Sequence, residues 1–122
     1  MESKILYHER PGKENTLATL QIARERAVAL GLDTVVLASS HGYTASQALE
    51  VFAQTLYRFS QGMKVAVEVA LMAADAGWLP MDREVIAIGG TDEGADTAIV
   101  LTPAYPRKLR DLSIREILAK PR

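Results

Sequence analysis

The stretch Ala87–Val100, AIGGTDEGADTAIV, places two apolar runs on either side of a segment rich in glycine and acidic residues. The flanking runs predict two strands, residues 84–90 and 96–103. A hairpin needs only about two to five connecting residues, so this loop is longer than a turn requires. We consider three interpretations of it: a turn, a metal site, or a cradle for a ligand.

The acidic residues of the loop are weak candidates for a metal site. Asp92, Glu93 and Asp96 offer oxygen ligands for Mg²⁺ or Ca²⁺, but their spacing does not match an EF-hand loop. A solvated acidic loop is the favoured alternative. Successive N–H groups of a glycine-rich loop can instead form an anion nest, provided that the acids point outward.

The remaining patterns predict an alternation of strands and helices. Helix 16–30 has Asn15 as its N-cap and Gly31 beyond its end. Helix 45–60 begins at a capping box. Helix 63–76 is so apolar that we expect it to be buried, with one polar stripe of Lys64, Glu68 and Asp75. The other predicted elements are a strand at 4–8, a strand at 34–39 covered on both faces, and a short strand with a frayed tail at 113–122.

This order predicts an α/β fold with three layers and a mostly parallel sheet flanked by helices, as one domain over residues 1–122. Ligands of such sheets bind at the carboxyl ends of the strands. The segment SSHGYT follows one predicted strand and GGTDEGADT follows another. If those strands are parallel, both segments open on the same edge of the sheet.

The segment from Ser39 to Thr44 is typical of a phosphate site. Free N–H groups at a helix start favour an anion, Ser39, Ser40 and Thr44 add hydroxyl donors, and Gly42 allows close approach. Alternatively, Thr44 only caps the helix and Gly42 only turns the chain. His41 is a candidate acid, base or phosphate donor, or else an exposed loop residue.

Composition narrows the function classes. The chain has 122 residues, a formal net charge of -1 and no cysteine. This balance gives no reason to expect nucleic acid or a membrane surface as a partner. Thiolate metal sites and cysteine nucleophiles are excluded. With no apparent signal peptide or membrane span, we expect a cytoplasmic protein. We interpret His8 as a residue at a strand end and Trp78 as a partly buried aromatic.

Several motifs resemble a family of small stand-alone proteins whose fold is similar to the C-terminal α/β domain of pyruvate kinase. The motifs are RPGKENTLATLQIARERA, VVLASSHGYTA, SQGMKVAVEVALMAADAG and EVIAIGGTDEGADTAIVLTPA. The resemblance implies a binder of flavin mononucleotide (FMN) or another phosphate-bearing small molecule. In pyruvate kinase this domain does not catalyse; it holds a sugar bisphosphate effector between a Ser/Thr-rich loop and a glycine-rich loop. Those loops are similar to 39–44 and 89–97 here.

From the residues and the resemblance together we predict one ligand site. Lys64 has an alternative interpretation as part of an exposed polar stripe with Glu68. The predicted site residues are Ser39, Ser40, His41, Gly42, Thr44, Gly62, Met63, Lys64, Gly89, Gly90, Thr91, Gly94 and Thr97.

The chain departs from the family by lacking an internal segment of about two strands and a helix. We therefore expect a sheet of about four or five strands with an exposed apolar face or edge, which favours pairing with a second copy. Two alternatives to a binding module stay open. One is an enzyme using a flavin or a phosphorylated substrate, and the other is a ligand-free oligomeric relic.

Overall fold

The computed structural model describes residues 4–38 and 53–122. The predicted site residues Ser39, Ser40, His41, Gly42 and Thr44, and the predicted helix up to residue 52, lie outside these ranges. Residues 53–57 are helical. The other described elements are β1 (Leu6–His8), a 3-10 turn (Lys13–Asn15), α1 (Thr16–Leu30), β2 (Val35–Leu37), α2 (Gln61–Asp75), β3 (Val85–Gly89), β4 (Thr97–Thr102), a 3-10 segment (Pro106–Asp111) and β5 (Ser113–Pro121).

The described strands form one five-stranded sheet in the order β1-β5-β4-β3-β2. The pairs β1/β5 and β2/β3 are parallel, whereas β3/β4 and β4/β5 are antiparallel. The sheet is therefore mixed, and the prediction of a mostly parallel sheet was wrong. The physical reason is that neither the glycine-rich loop nor the 3-10 segment is long enough for the crossover that a parallel pair needs.

Three layers are confirmed, because α1 and α2 pack on opposite faces of the sheet. On β3, Val85 and Ala87 pack toward α2, while Ile86 and Ile88 pack toward α1. The same alternation continues along β4 from Ala98 to Leu101. Since both faces are covered, these central strands are apolar without alternation, as the sequence predicted. In the part of the chain that is described, no helix has the length and apolarity to cross a bilayer.

Strand β2 departs from the prediction that both of its faces are covered. Val36 is buried against the α2 side, but Val35 and Leu37 are 48% and 54% exposed. The cause is position: β2 is the last strand of the sheet that residues 4–38 and 53–122 form, and α1 packs on β3, β4 and β5. The predicted exposed apolar edge is therefore present at β2.

Strand β5 is longer than predicted, and its tail is paired rather than frayed. Residues from Ser113 to Ala119 pair with β4, and residues from Ala119 to Pro121 pair with β1. Register shifts let Ile114 face Leu101 and Ile117 face Ile99, although those β4 partners are only two residues apart. Each shift inserts an extra residue into β5, as in a β-bulge. The two isoleucines thus lie on the face of the sheet that packs against α2, although they are three residues apart. A regular strand places every second residue on one face, so this spacing hides the strand pattern in the sequence.

The break between the second predicted helix and α2 lies earlier than predicted. The helix that includes residues 53–57 gives way to a turn at Arg58, and α2 begins at Gln61 rather than residue 63. The reason is Ser60, whose hydroxyl accepts a hydrogen bond from the Met63 N–H at 2.9 Å and so caps α2. Gly62 is helical and does not break the helix.

Helix α1 has the predicted bounds, but the Asn15 side chain makes no capping hydrogen bond to it and donates instead to the Arg10 carbonyl. Gly31 adopts φ of 69° as the C-cap, and its N–H and that of Leu32 return to carbonyls of the last turn. Arg26 donates two hydrogen bonds of 2.6 Å to the Glu116 carboxylate, which joins α1 to β5. This bidentate pair lowers the pKa of Glu116 below its ordinary value, chiefly through the hydrogen bonds from Arg26.

Candidate ligand cleft

A cleft of about 780 Å³ opens beside the carboxyl ends of β2 and β3; we call it the loop cleft. These two strands are parallel, and the Ala38 N–H donates to the Ile88 carbonyl at 2.9 Å. Ala38 and Gly90 therefore lie at the same edge of the sheet. The described lining consists of Thr16, Leu20, Leu37, Ala38, Gln61, Lys64, Val65, Glu68, Val69, Met72, Trp78, Gly90, Asp92, Glu93, Gly94 and Ala95.

The wall of the loop cleft is held by a directional chain of hydrogen bonds around Asp96. The Thr97 hydroxyl donates to Asp96 Oδ1 at 2.9 Å. Because that proton is used, the Ser60 hydroxyl is the donor in its 3.0 Å contact with Thr97 Oγ1. Asp96 Oδ2 accepts from the Gly12 N–H at 2.9 Å. The chain joins the start of α2, the glycine-rich loop and the segment before α1.

Asp96 therefore has a structural position, unlike the solvated acid that the sequence suggested. Its side chain is fully buried, whereas Asp92 and Glu93 are exposed. The charge is compensated by donors from Gly12 and Thr97, which makes burial of the carboxylate tolerable. Among the described residues, no group of three or more His, Asp or Glu side chains is placed to hold a metal ion.

Four of the predicted site residues lie in the interior rather than along the cleft. Met63 is fully buried in the core between α2 and the sheet. Thr97 belongs to the hydrogen-bond chain of Asp96. A Cβ on Gly62 would lie 2.5 Å from Asp96 Oδ1, and one on Gly89 would lie 2.7 Å from the Gly62 carbonyl oxygen. Both glycines are thus explained by close packing of α2 on the β3–β4 loop.

The tip of the glycine-rich loop forms one side of the cleft. Gly94 has φ of 82°, and a Cβ there would lie 2.5 Å from Lys13 Cα, so only glycine fits. Asp92 also has positive φ, at 58°, which aspartate tolerates better than most residues. The Ala95 N–H donates to Thr16 Oγ1 at 2.9 Å and fastens the loop to α1.

The loop therefore bends back onto the N-terminal turn of α1. Gly90 and Gly94 line the cleft. Thr91 is placed differently: its hydroxyl is shielded from solvent, and no partner for it occurs in the described ranges 4–38 and 53–122.

Lys64 and Glu68 bring charge to the floor of the cleft. Their side chains are 17% and 6% exposed, and Lys64 Nζ lies 2.9 Å from Glu68 Oε2. The interpretation of these two residues as an exposed stripe is therefore wrong, although Asp75 farther along α2 is exposed. The sequence singled out Lys64 but missed Glu68 as a cleft residue; the available signal was its spacing of four from Lys64 in an apolar helix.

The lining of the cleft combines apolar and charged side chains. Leu20, Leu37, Met72 and Trp78 supply apolar surface, whereas Lys64, Glu68 and the acidic residues of the loop tip supply charge. Trp78 is 79% exposed, which corrects the expectation of a partly buried aromatic. Glu93 lies 3.6 Å from Lys13 Nζ, with both side chains largely solvated.

His8 lies in the interior at the end of β1, as expected, and does not line the loop cleft. The Thr19 hydroxyl donates to the Asn15 carbonyl at 2.9 Å, so His8 Nε2–H is the donor in the 3.0 Å contact with Thr19 Oγ1. Burial lowers the pKa of His8, and the negative charge of Asp96 opposes this in part. The neutral imidazole is therefore the form that the fold favours.

The sequence matches no known protein-family model.

Proposed function

We propose that the chain is a binding module for a phosphate-bearing small molecule, and that the ligand occupies the loop cleft. The observation that carries the proposal is the position of Lys64: a largely buried ammonium in a concave site that Ala38 and the glycine-rich loop also line. Ser39 follows Ala38 directly in the sequence, so the chain enters its Ser-rich segment from the wall of this cleft.

FMN is the ligand that we propose first. A flavin joins a large apolar ring to a phosphate, and the lining of the cleft likewise combines apolar side chains, Trp78 and Met72 among them, with the charge of Lys64. Its volume falls within the range of about 300–1,000 Å³ that is common for small-molecule sites. This proposal includes kinship with the C-terminal domain of pyruvate kinase, which the three-layer arrangement and the open edge at β2 support.

The test compares the affinity of the protein for FMN with its affinity for riboflavin, which lacks the phosphate. Flavin fluorescence during titration measures both affinities. We expect the natural sequence to bind FMN at least about tenfold more tightly than riboflavin, because a charge-assisted contact contributes roughly 1.5–3 kcal/mol. Lys64→Gln, which removes the charge but keeps an N–H for Glu68, should abolish most of that difference.

A matched control is Lys108→Gln, because Lys108 is an exposed lysine that does not line the cleft. It should leave both flavin affinities unchanged. Equal affinity of the natural sequence for FMN and riboflavin, or an undiminished preference in Lys64→Gln, would contradict the proposal.

We also propose that the open edge of β2 pairs with β2 of a second copy. Val35, Leu37 and Trp78 present apolar surface there, and a groove of about 570 Å³ runs between β2 and α2. The same edge on a second copy offers the same apolar side chains and matching backbone N–H and C=O groups. Pairing about a two-fold axis would therefore bury the apolar side chains and give the backbone groups hydrogen-bond partners.

Light scattering during size-exclusion chromatography tests this pairing. We expect a dimer for the natural sequence and a monomer for Leu37→Lys, because edge lysines oppose strand pairing. Val28→Lys, at a solvent-exposed site on α1, is the control and should remain dimeric. A monomeric natural protein at high concentration would refute the pairing.

A further inference from the structure

Strands β1 and β5 border an apolar groove on the face of the sheet that carries α2; we call it the α2-side groove. Helix α2 packs mainly on β2, β3 and β4, so within residues 4–38 and 53–122 this face of β1 and β5 stays largely uncovered. The groove has a volume of about 480 Å³. Its lining consists of Ile5, Phe59, Met63, Ile114, Arg115, Glu116 and Ile117.

Large apolar side chains along the α2-side groove are exposed. Ile5 is 43% exposed and Phe59 is 47% exposed. Tyr7, two residues after Ile5 and therefore on the same face of the sheet, is 55% exposed. Ile114 and Ile117 are covered only in part. A contiguous exposed apolar surface of this kind is typical of an interaction site.

Unpaired positive charge surrounds the α2-side groove. Lys4 and Arg58 are exposed, and each is adjacent in the sequence to an apolar residue of the groove. Lys120 lies opposite Tyr7 in the sheet, with its Nζ 5.7 Å from the centroid of the Tyr7 ring. In the described part of the chain, none of these three cations forms an ion pair with an acidic side chain.

The acidic residues next to the groove already have partners. Glu116 lines the groove, but its carboxylate accepts two hydrogen bonds from Arg26 of α1. Glu84 Oε2 lies 3.2 Å from Nε of Arg115, which also lines the groove. The charge that is left without compensation at the groove is therefore positive.

We infer that the α2-side groove binds an amphipathic helix of a partner protein, whose apolar stripe is flanked by acidic residues. Two neighbouring strands are about 10 Å wide, which is the diameter of one helix with its side chains. A helix laid beside α2 would cover Ile5 and Phe59 with its stripe, and its acidic flanks would meet Lys4 and Arg58. The concave shape favours a helix over a lipid bilayer, which is flat on this scale.

This inference is independent of the proposed ligand. The loop cleft lies on the β2 side of α2, whereas the α2-side groove lies on the β5 side. The two share no lining residue. Either site can therefore fail its test without affecting the other.

The test titrates the natural sequence into three fluorescently labelled synthetic helices and follows their anisotropy. The first helix has a leucine stripe flanked by glutamates, the second has the same stripe flanked by lysines, and the third has the composition of the first in scrambled order. We expect the first to bind at least about tenfold more tightly than the other two. Its affinity should fall as NaCl is raised, because salt screens exposed charges.

Two substitutions place the binding in the groove. Phe59→Glu and Ile5→Glu should each weaken binding of the glutamate-flanked helix about tenfold or more, because each removes apolar contact and adds a repelling charge. Both positions are exposed, so the variants should fold, which circular dichroism checks. Val28→Glu makes a similar change at a site on α1 that is 76% exposed, and it should leave the affinity unchanged.

Three results would overturn the inference. The first is no saturable binding of the glutamate-flanked helix, or equal affinity for the glutamate-flanked and lysine-flanked helices. The second is a dimer that Phe59→Glu, but not Leu37→Lys, converts to a monomer, which would assign the groove to a second copy. The third is binding to vesicles of anionic phospholipid that Phe59→Glu abolishes, which would assign the groove to a membrane surface.

Discussion

Replacement of Gly62 by alanine tests whether α2 and the glycine-rich loop are packed as closely as the structure shows. Helix propensity alone predicts that Gly62→Ala stabilises the protein by up to about 1 kcal/mol. The structure predicts the opposite, since the new Cβ would lie 2.5 Å from Asp96 Oδ1 and 2.8 Å from Thr97 Cβ. The sign of the change in unfolding free energy therefore distinguishes the two expectations.

The expected cost follows from three terms. Overpacking of a filled site costs about 1–3 kcal/mol, and disturbance of the Asp96–Thr97 hydrogen bond adds about 1 kcal/mol. After subtraction of the gain in helix propensity, the net loss is about 2 kcal/mol. For a domain of this size, that loss lowers the melting temperature by roughly 6–8 °C.

The assay is urea unfolding followed by circular dichroism, with thermal melting as a second measurement. Gln61→Ala, at the exposed neighbouring position of α2, is the control and should change stability by less than about 0.5 kcal/mol. Thr97→Ala removes the nearest side-chain oxygen, so the double variant should lose less stability than the sum of the single variants. A Gly62→Ala protein as stable as the natural one would refute the close packing.

Three further predictions concern buried or paired ionisable groups. Asp96→Asn should lower the unfolding free energy by about 1–3 kcal/mol in urea titrations, because the NH₂ group that replaces one carboxylate oxygen accepts no hydrogen bond and leaves either Gly12 or Thr97 without its acceptor; an unchanged midpoint would contradict the Asp96 assignment. Burial lowers the pKa of His8, so the unfolded state binds the proton more readily; stability should fall as pH drops below about 6.5, and His8→Gln should flatten this dependence in unfolding measured at pH 7.5 and 5.5. The pKa of Glu116 is lowered as well, so its contribution is complete above about pH 4.5 and is lost on further acidification; Glu116→Gln should therefore reduce stability more at pH 7 than at pH 2.5, and equal losses at both would count against the Arg26 pair.

The sequence predicted the elements whose signals are local. Helix α1 could be bounded because its apolar residues recur at helical spacing and Gly31 caps its end, although Asn15 at its start makes no capping hydrogen bond. The hairpin of β3 and β4 could be recognised because two apolar runs flank a glycine-rich loop. In each case the physical signal lies within a few residues of the element, in a cap or in a pattern of burial.

Features that depend on distant partners could not be predicted. The exposure of Val35 and Leu37 follows from the edge position of β2, which no local pattern encodes. The bulges of β5 exist only relative to β4, and without them the spacing of Ile114 and Ile117 is ambiguous. The mixed sheet likewise follows from the antiparallel pairing of β4 with β3 and β5.

The same distinction between local signals and distant partners applies to the candidate site. Lys64 could be proposed as a site residue because a lysine near the start of an otherwise apolar helix is unusual. Gly62 and Gly89 were interpreted as ligand contacts, since the sequence does not show that the two backbones touch each other. Glu68 was missed, because only the fold reveals that its carboxylate is buried beside the cleft.

The pairing of β1 with β5 has a consequence for synthesis of the chain. Leu6–His8 align with Ala119–Pro121, and the Arg122 N–H donates to the His8 carbonyl at 2.9 Å. The first described strand to leave the ribosome therefore finds its place in the sheet only after the last one has been made. Until then the backbone groups of β1 lack their sheet partners and His8 lacks part of its cover, so the nascent chain exposes an open strand until β5 has been synthesised.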